Sequence, residues 1–265
     1  MVDSVHDSKH GWPDLLSLMA LLRSERGCPW DREQTHASIR RNLLEEAYEV
    51  CEAIDLGDDV SLCEELGDLL LQVVFHARLA EEAGSFDISD VIGCLCRKLI
   101  VRHPHVFGDA EAGTATEVLV NWERIKQQTK GQKTQHSAMD AVARSLPALV
   151  RSEKIQKKAA KVGFDWTDVS GAWDKLTEEM NELKDAVSQG GDSEGEMGDL
   201  LFSAVNVSRF LGVDPERALE KTCDKFLHRF GSMERAARDS GRALNEMTLD
   251  EMDALWDQAK SQPVM

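Results

Sequence analysis

Two stretches of the sequence place a glutamate and an aspartate three residues apart inside otherwise apolar runs. The first is EELGDLLLQVV at 64–74, which carries Glu65 and Asp68. The second is EMGDLLFSAV at 196–205, which carries Glu196 and Asp199. Residues three apart share one face of an α-helix, so each stretch would present two carboxylates side by side. Such pairs need a compensating charge if they lie beside apolar side chains.

A pair of glutamates precedes each of these runs. Glu46 and Glu49 belong to the first copy, and Glu179 and Glu182 belong to the second. On a helical wheel each pair flanks an apolar stripe. The stripe residues are Leu43, Ala47, Val50 and Ile54 in the first copy and Met180, Leu183 and Val187 in the second. If each glutamate helix packs as an antiparallel hairpin with the helix that follows, four carboxylates converge at one edge of the core.

Converging carboxylates raise one another's pKa values unless a cation lies among them. The predicted ligands are oxygens only, with no His or Cys at matching positions, which favours Mg²⁺ or Mn²⁺ over zinc. Mg²⁺ in proteins binds a few carboxylates together with substrate phosphates, so the pattern indicates phosphate chemistry. The alternative is a solvated acidic helix face, but such a face would not need to recur.

Basic pairs follow each acidic motif in the same order. Lys98 and Arg102 follow the first, and Lys225 and Arg229 follow the second. Each pair has helical i, i+4 spacing, so both cations would project from one face. They would contact phosphate oxygens, or they form an exposed basic face or salt bridges to the acidic helices.

Two tryptophans next to glycine, Trp30 in GCPWD and Trp166 in GFDW, precede the acidic helices. Each could stack on a nucleobase or fill the core, and the sequence leaves these alternatives open. The segment RHPHVFG at 102–108 has no zinc-like partner, so its histidines are interpreted as a structural corner.

The elements that must position these residues are helices. Strand signals are scarce, aromatic residues make up 6% of the chain, and apolar residues recur at three- and four-residue intervals. We predict helices at 14–25, 38–57, 59–84 and 89–103, with stops at Gly57 and Gly84. The fold class is therefore all-α, with helix-bundle packing.

The acidic and basic motifs recur in the same order, and so do the lead-in segments LRSERG at 22–27 and VRSEKI at 150–155. This order indicates two tandem homologous helical units. We place the first at 12–128 and the second at 138–265, with a polar linker at 129–137.

Composition limits the partners. The 265 residues are 42% hydrophobic and 30% charged, with a formal net charge of −17. This negative balance argues against binding to nucleic acid or to an anionic membrane. No apolar run approaches the ~20 residues that span a bilayer. Six cysteines without a CxxC pattern fit reduced thiols in a cytoplasmic protein.

The ordered motifs resemble those of the MazG family of nucleoside triphosphate pyrophosphohydrolases, over roughly residues 12–260. The motifs are GCPWDREQTHASIRRNLLEEAYEV, EELGDLLLQVVFHA, RKLIVRHPHVFGD, NWERIKQQTKG, KAAKVGFDW, EEMNEL, EMGDLLFSAVN and KFLHRF. The resemblance implies the all-α NTP pyrophosphatase fold and Mg²⁺-dependent hydrolysis between the α and β phosphates. The products would be a nucleoside monophosphate and pyrophosphate, with broad base selectivity, in a homodimer assembled through the helical bundles.

The resemblance also implies residue roles. In the second unit the metal ligands would be Glu179, Glu182, Glu196 and Asp199, with Lys225 and Arg229 on the phosphates. In the first unit they would be Glu46, Glu49, Glu65 and Asp68, with Lys98 and Arg102. Relatives commonly have Asn two residues before the phosphate-contacting lysine, where this chain has Cys96 and Cys223.

The resemblance implies that the second unit is the catalytic one, because the C-terminal unit carries the activity in two-unit relatives, and one sequence difference fits this. Asn206, which would contact substrate, lies two helical turns after Asp199, whereas its first-unit counterpart is Phe75. Water would attack phosphorus directly, activated by the metal or by a glutamate, with Lys225 and Arg229 stabilising the leaving group. Whether the first unit turns over substrate, and which nucleotide is the physiological one, stays open.

Two other functions fit parts of the pattern. One is a helical nucleotide-binding regulatory protein with little turnover. The other is a di-iron carboxylate oxidase, which needs Glu-x-x-His on two helices of a bundle. The sequence offers that spacing only at Glu33 and His36, outside the repeated helices.

Overall fold

The computed structural model describes residues 10–110, 113–129 and 134–261, and these residues contain helices and no strand. The all-α prediction is confirmed. Contacts between Cα atoms divide the chain into two compact units, Met1–Lys126 and Gln127–Met265. The division falls inside a helix, Ala115–Thr129, and Gln135–Asp140 are also helical. Residues 130–133 of the predicted linker lie outside the described part, and the domain bounds stay a prediction.

The first unit is built on a long helical hairpin. Its helices in chain order are α1 (Trp12–Leu22), α2 (Pro29–Glu33), α3 (Arg40–Leu56), α4 (Asp59–Glu82), α5 (Ile88–Arg102), α6 (Pro104–Phe107) and α7 (Ala115–Thr129). Helix α3 packs along α4, while α1 and α5 pack on other parts of α4. The four helices predicted in this unit are confirmed close to their predicted bounds.

The second unit repeats the hairpin. Its helices are α8 (Gln135–Asp140), α9 (Ala148–Ala160), α10 (Val169–Gln189), α11 (Ser193–Phe210), α12 (Pro215–Asp239) and α13 (Leu249–Lys260). Helix α10 packs along α11; α9 and α12 contact α11, and α13 contacts α12. A 3₁₀ turn at Leu244–Glu246 precedes α13.

Short glycine–aspartate turns close both hairpins. Gly57 ends α3 in the left-handed conformation with φ of 67°, and Gly190 ends α10 in the same way with φ of 73°. Glycine adopts this conformation without the Cβ penalty of other residues. Asp58 then caps α4 by accepting hydrogen bonds from the amides of Val60 and Ser61, and Asp192 caps α11 through Gly195. Each cap stabilises its helix by about 1 kcal/mol.

The first-unit core lies under the C-terminal half of α4. Met19, Ile39, Val74 and Phe75 form its buried cluster, and burial of a side chain of this size contributes roughly 1.5–3 kcal/mol. The hairpin stripes differ from the prediction. Val50 is buried, but Ile54 is 58% exposed and Val187 is 67% exposed. Within one chain, the second helix of each hairpin therefore covers only part of the apolar stripe on the first helix.

None of the helices among the described residues is long and apolar enough to cross a bilayer. The six cysteines are all described, and all are free thiols.

Candidate metal centre

In the first unit the hairpin brings three predicted carboxylates together. One carboxylate oxygen each from Glu46, Glu49 and Glu65 lies within 4.8 Å of the other two. Antiparallel packing explains this, because Glu49 and Glu65 stand at similar distances from the Gly57–Asp58 turn on opposite helices. Asp68, the fourth predicted ligand, is outside this group but close enough to act on the charge of Glu46.

In the second unit the corresponding group has a different membership. Oxygens of Glu179, Glu196 and Asp199 lie within 4.8 Å of one another. Here α11 supplies two ligands and α10 supplies one, the reverse of the first unit. Glu182 stands beside the group and interacts with Glu179. Glu179 is only 5% exposed, so its carboxylate is held against the protein and not in open solvent.

Burial and mutual repulsion raise the pKa values of Glu46, Glu65 and Glu182. Desolvation raises the pKa of Glu46, with smaller contributions from the charges of Asp68 and Glu49. Desolvation and then Glu49 raise the pKa of Glu65. In the second unit, desolvation followed by the charge of Glu179 raises the pKa of Glu182. Loss of hydration is the largest cause of each shift, and repulsion between neighbouring carboxylates adds to it.

The donor sets fit a hard divalent cation. Three carboxylate oxygens within 4.8 Å of one another need only small side-chain rotations to contact one ion at about 2.1 Å, the distance typical of Mg²⁺. Neither group contains a His or Cys ligand. Mg²⁺ keeps several non-protein ligands, and three carboxylates leave positions for water and phosphate oxygens.

The two groups differ in the donor that contacts the repeat-related glutamates, Glu46 and Glu179. In the second unit the Lys175 ammonium lies 2.6 Å from Glu179 Oε1 and 2.9 Å from Glu178 Oε1. In the first unit the buried Gln72 donates its side-chain amide to Glu46 Oε1 at 3.5 Å. The first group thus meets a neutral donor and the second meets a cation.

The basic pairs occupy unlike surroundings. Lys98 is exposed on α5, whereas Arg102 is 8% exposed with its guanidinium 5.2 Å from the centre of the Trp122 ring. The Arg102 guanidinium therefore makes a cation–π contact with Trp122 inside the first unit. On α12, Lys225 and Arg229 are half-buried, and Arg229 Nε is buried without a hydrogen-bond partner in the described part of the chain.

Trp30 and Trp166 are both partly exposed, by 58% and 41%. An arginine with a largely covered side chain fixes the segment around each. Arg23 donates to the carbonyl of Asp31 next to Trp30 and pairs with Glu82 at 2.8 Å. In the second unit, Arg209 binds both oxygens of Asp165, next to Trp166, at 2.5 and 2.9 Å.

Arg209 also engages Asn206. Its Nε and Nη2 donate to Asn206 Oδ1 at 2.9 and 2.8 Å, and Asn206 is 8% exposed. Asn206 therefore joins α11 to the Trp166 segment through Arg209. Its predicted role as a substrate contact stays a prediction.

No histidine in the described part of the chain belongs to either carboxylate group. His103 Nδ1 lies 2.7 Å from the Leu99 carbonyl oxygen and its ring packs edge-on against Trp122. The ring of His36 stacks on that of His76, with 2.8 Å between their Nδ1 atoms. Burial and the neighbouring His36 lower the pKa of His76. The partner of His36 in the structure is therefore His76, and not a carboxylate of a di-iron site.

Sequence reasoning missed Lys175, Gln72 and Arg209. Lys175 could have been found, because it lies one helical turn before Glu179, the spacing of a helical ion pair. Gln72 and Arg209 act across helices or loops, and no local spacing marks them.

Comparison with known proteins matches the parts of the chain that carry these groups. The sequence profile of the MazG nucleotide pyrophosphohydrolase domain fits residues 34–107 and 171–232. The first segment contains α3 and α4, and the second contains α11 and most of α10.

Similar proteins match almost the whole chain. A nucleoside triphosphate pyrophosphohydrolase of Escherichia coli (strain K12) is 48% identical over 255 residues, covering 94% of this chain and 97% of the relative. The nucleoside triphosphate pyrophosphohydrolase/pyrophosphatase MazG of Thermotoga maritima is 49% identical over 247 residues, covering 93% and 94%. Uncharacterized protein YabN of Bacillus subtilis is 46% identical over 254 residues, which cover 95% of this chain and 52% of YabN.

Proposed function

The chain belongs to the MazG family of nucleotide pyrophosphohydrolases, and from this premise we propose how its two carboxylate groups serve the reaction. The chain is a nucleoside triphosphate pyrophosphohydrolase, a hydrolase acting on acid anhydrides. It cleaves between the α and β phosphates and releases a nucleoside monophosphate and pyrophosphate, with broad base selectivity. The observation that carries the proposal is the pair of three-carboxylate groups at repeat-related hairpin positions.

The proposed cofactor is Mg²⁺, with Mn²⁺ as a substitute. A bound divalent cation supplies charge neutralisation at the phosphate oxygens and acidifies water. In the second unit Glu179, Glu196 and Asp199 hold the cation, and in the first unit Glu46, Glu49 and Glu65 do so. Asp68 adds a fourth carboxylate next to the first-unit group, and Glu182 adds one next to the second-unit group.

Glu182 is the proposed general base of the second unit. It stands next to the cation ligands, and desolvation together with Glu179 raises its pKa above the ordinary value. A carboxylate beside a metal-bound water can accept its proton. Lys225 and Arg229 hold the leaving pyrophosphate, and charge-assisted hydrogen bonds to its oxygens stabilise the developing charge.

The second unit is the proposed catalytic one. Arg229 keeps a buried Nε without a partner in the described residues, whereas its first-unit counterpart Arg102 is covered by Trp122. The first unit binds nucleotide and cation with little turnover. Lys98 and Trp30, both exposed, are its proposed substrate contacts, as Trp166 and Asn206 are in the second unit.

The proposed assembly is a homodimer formed through the helical hairpins. Repeat-related apolar side chains lie exposed on α4 and α11, among them Leu66 and Leu70 and their counterparts Met197 and Leu201. An apolar face of this kind on two helices indicates a protein partner, and a second copy supplies a face of the same shape.

Product analysis and charge-removing variants test the proposal. The purified protein with Mg²⁺ and a panel of nucleoside triphosphates is expected to release monophosphate and pyrophosphate, resolved by ³¹P NMR. Glu179→Gln should lower kcat/KM at least a hundredfold, because it removes a ligand of the second-unit cation. Glu46→Gln in the first unit should lower it less than threefold.

Glu194→Gln is the matched control, since Glu194 is exposed on α11 and outside the group. It should leave turnover unchanged. Orthophosphate as the primary product would refute the proposed bond cleavage. Full activity of the combined Glu49→Gln and Glu182→Gln variant would refute the role of the carboxylates.

A further inference from the structure

Lys175 is the cation that lies closest to either carboxylate group in the described contacts. It stands on α10 one turn before Glu179, and its Nζ lies 2.6 Å from Glu179 Oε1. Glu179 is buried, while the Lys175 side chain is 36% exposed. The ammonium thus enters from the solvent side and neutralises a carboxylate that belongs to the proposed cation site. Its hydrogen bonds to Glu179 and Glu178 raise the pKa of Lys175 above the ordinary value, so it stays charged at neutral pH.

The first unit lacks this cation at the corresponding place. The repeat alignment that pairs Leu43 with Leu176 sets Asn42 opposite Lys175. The nearby Arg41 pairs instead with Glu45 at 2.8 Å, where the two side chains are 86% and 49% exposed. One position along a helix changes the direction of a side chain by about 100°. The first-unit cation is therefore directed to the surface and the second-unit cation to the carboxylates.

The neutral donor in the first unit also has no second-unit equivalent. Gln72, which contacts Glu46, aligns with Ser203, a shorter side chain on α11. The repeat-related glutamates Glu46 and Glu179 thus meet different donors. An amide hydrogen bond leaves the full negative charge of Glu46 available to a cation, whereas the ammonium of Lys175 already offsets the charge of Glu179.

We propose that Lys175 is a built-in counter-cation of the second-unit site, which a divalent ion must displace from Glu179, and that the second unit consequently binds the free ion more weakly than the first. The inference rests on the proposed function, because it assumes that the carboxylate groups hold a divalent cation. A dication that binds beside Glu179 repels the ammonium at short range. The predicted difference in ion affinity rests on Lys175, which stands where the first unit has Asn42.

Binding of Mn²⁺ alone, followed by the electron paramagnetic resonance signal of the free ion, tests the inference without any turnover. Full-length protein with Glu46→Gln and Glu49→Gln reports the second-unit site. Adding Lys175→Asn to this background should tighten Mn²⁺ binding about tenfold, a change of about 1.4 kcal/mol. Lys175→Met, which keeps the aliphatic stem and removes the charge, should give the same gain.

The reciprocal exchange is made in the first unit. Full-length protein with Glu179→Gln and Glu196→Gln reports the first-unit site, and Asn42→Lys should weaken its Mn²⁺ binding about tenfold. Lys184→Asn is the matched control in the second-unit background. It makes the same charge change on the opposite side of α10, nine residues from Lys175, and should change the affinity less than twofold.

Mn²⁺ affinities of the Lys175 variants equal to that of their parent would overturn the inference while leaving the proposed function intact. So would a gain for Lys184→Asn as large as that for Lys175→Asn, since general charge would then explain both. If neither unit of the unmodified chain binds Mn²⁺, the proposed cation site fails and the inference fails with it.

Discussion

The conformation of Trp166 depends on two residues that the sequence does not mark as functional. Arg209 ties Asp165 to Asn206, which fixes the loop before α10. Gly171, at the start of α10, then leaves room for the indole, because a Cβ at this position would overlap the Trp166 ring. The Trp166 side chain is thus partly exposed. The Arg209–Asp165 ion pair fixes its loop, and Gly171 leaves space for its ring.

Gly171→Ala should therefore move Trp166, and its effects distinguish stacking on a nucleobase from filling the core. If Trp166 stacks on the base, KM for nucleoside triphosphates rises about tenfold, since stacking contributes roughly 1–3 kcal/mol per base, and this is the result we expect. Steady-state kinetics and chemical unfolding measure the two effects. A large loss of unfolding free energy with an unchanged KM would show a core role instead. Gly231→Ala is the control, because a Cβ there would meet Arg235 Nη1 at 3.5 Å, an ordinary contact.

The helical hairpins form the carboxylate groups. At the end of the second unit, a separate ion pair joins α12 to α13. Arg242, after α12, donates to Glu251 on α13 at 2.6 Å, and Glu251 also accepts the amide of Thr248 in a capping box. These hydrogen bonds lower the pKa of Glu251 to about 2 from an ordinary value of 4.5. The junction therefore joins α12 to α13 through one carboxylate.

This lowered pKa predicts an acid-sensitive junction. A carboxyl whose pKa is lower in the folded state stabilises the fold above its unfolded pKa, and that stabilisation is lost as the pH falls from about 4.5 to about 2. The difference in unfolding free energy between the wild type and Glu251→Gln should be largest at pH 7 and should shrink by pH 3. Urea unfolding followed by circular dichroism at both pH values measures it. A difference independent of pH would contradict the assignment, and Asp253→Asn, exposed on the same helix, is the control.

At the level of the complete chain, the same helical hairpin occurs in both units, but different charged and polar side chains surround its carboxylates. The first unit has a neutral donor at its carboxylates and an arginine covered by tryptophan, and the second has a lysine at its carboxylates and an arginine with an unpaired buried nitrogen. Both hairpins leave apolar side chains uncovered. Divergence between the two units thus affects the charges around the site, while the helical frame and the exposed apolar face are kept.

Charge placed on the uncovered faces tests the proposed dimer. Leu70 is 38% exposed on α4 and Leu201 is 52% exposed at the repeat-related place on α11. Leu70→Glu combined with Leu201→Glu should give a monomer by sedimentation velocity, because burying unpaired carboxylates in an apolar interface is costly. Val60→Glu, at a position 79% exposed at the start of α4, should stay dimeric. A dimeric double variant would place the interface elsewhere.

The helical period and the repeated order of motifs were enough to predict an all-α chain, the bounds of its first-unit helices and the acids that share a face. These features follow from spacing along one helix, which backbone geometry fixes. The tertiary structure determined which three of four acids converge, since this depends on how one helix packs against the next. It also placed Lys175 on Glu179, Gln72 on Glu46 and Arg102 under Trp122, and it left Ile54 and Val187 exposed. Contacts of this kind depend on side-chain rotamers and on the neighbouring surfaces that packing supplies, and the linear order of residues does not contain them.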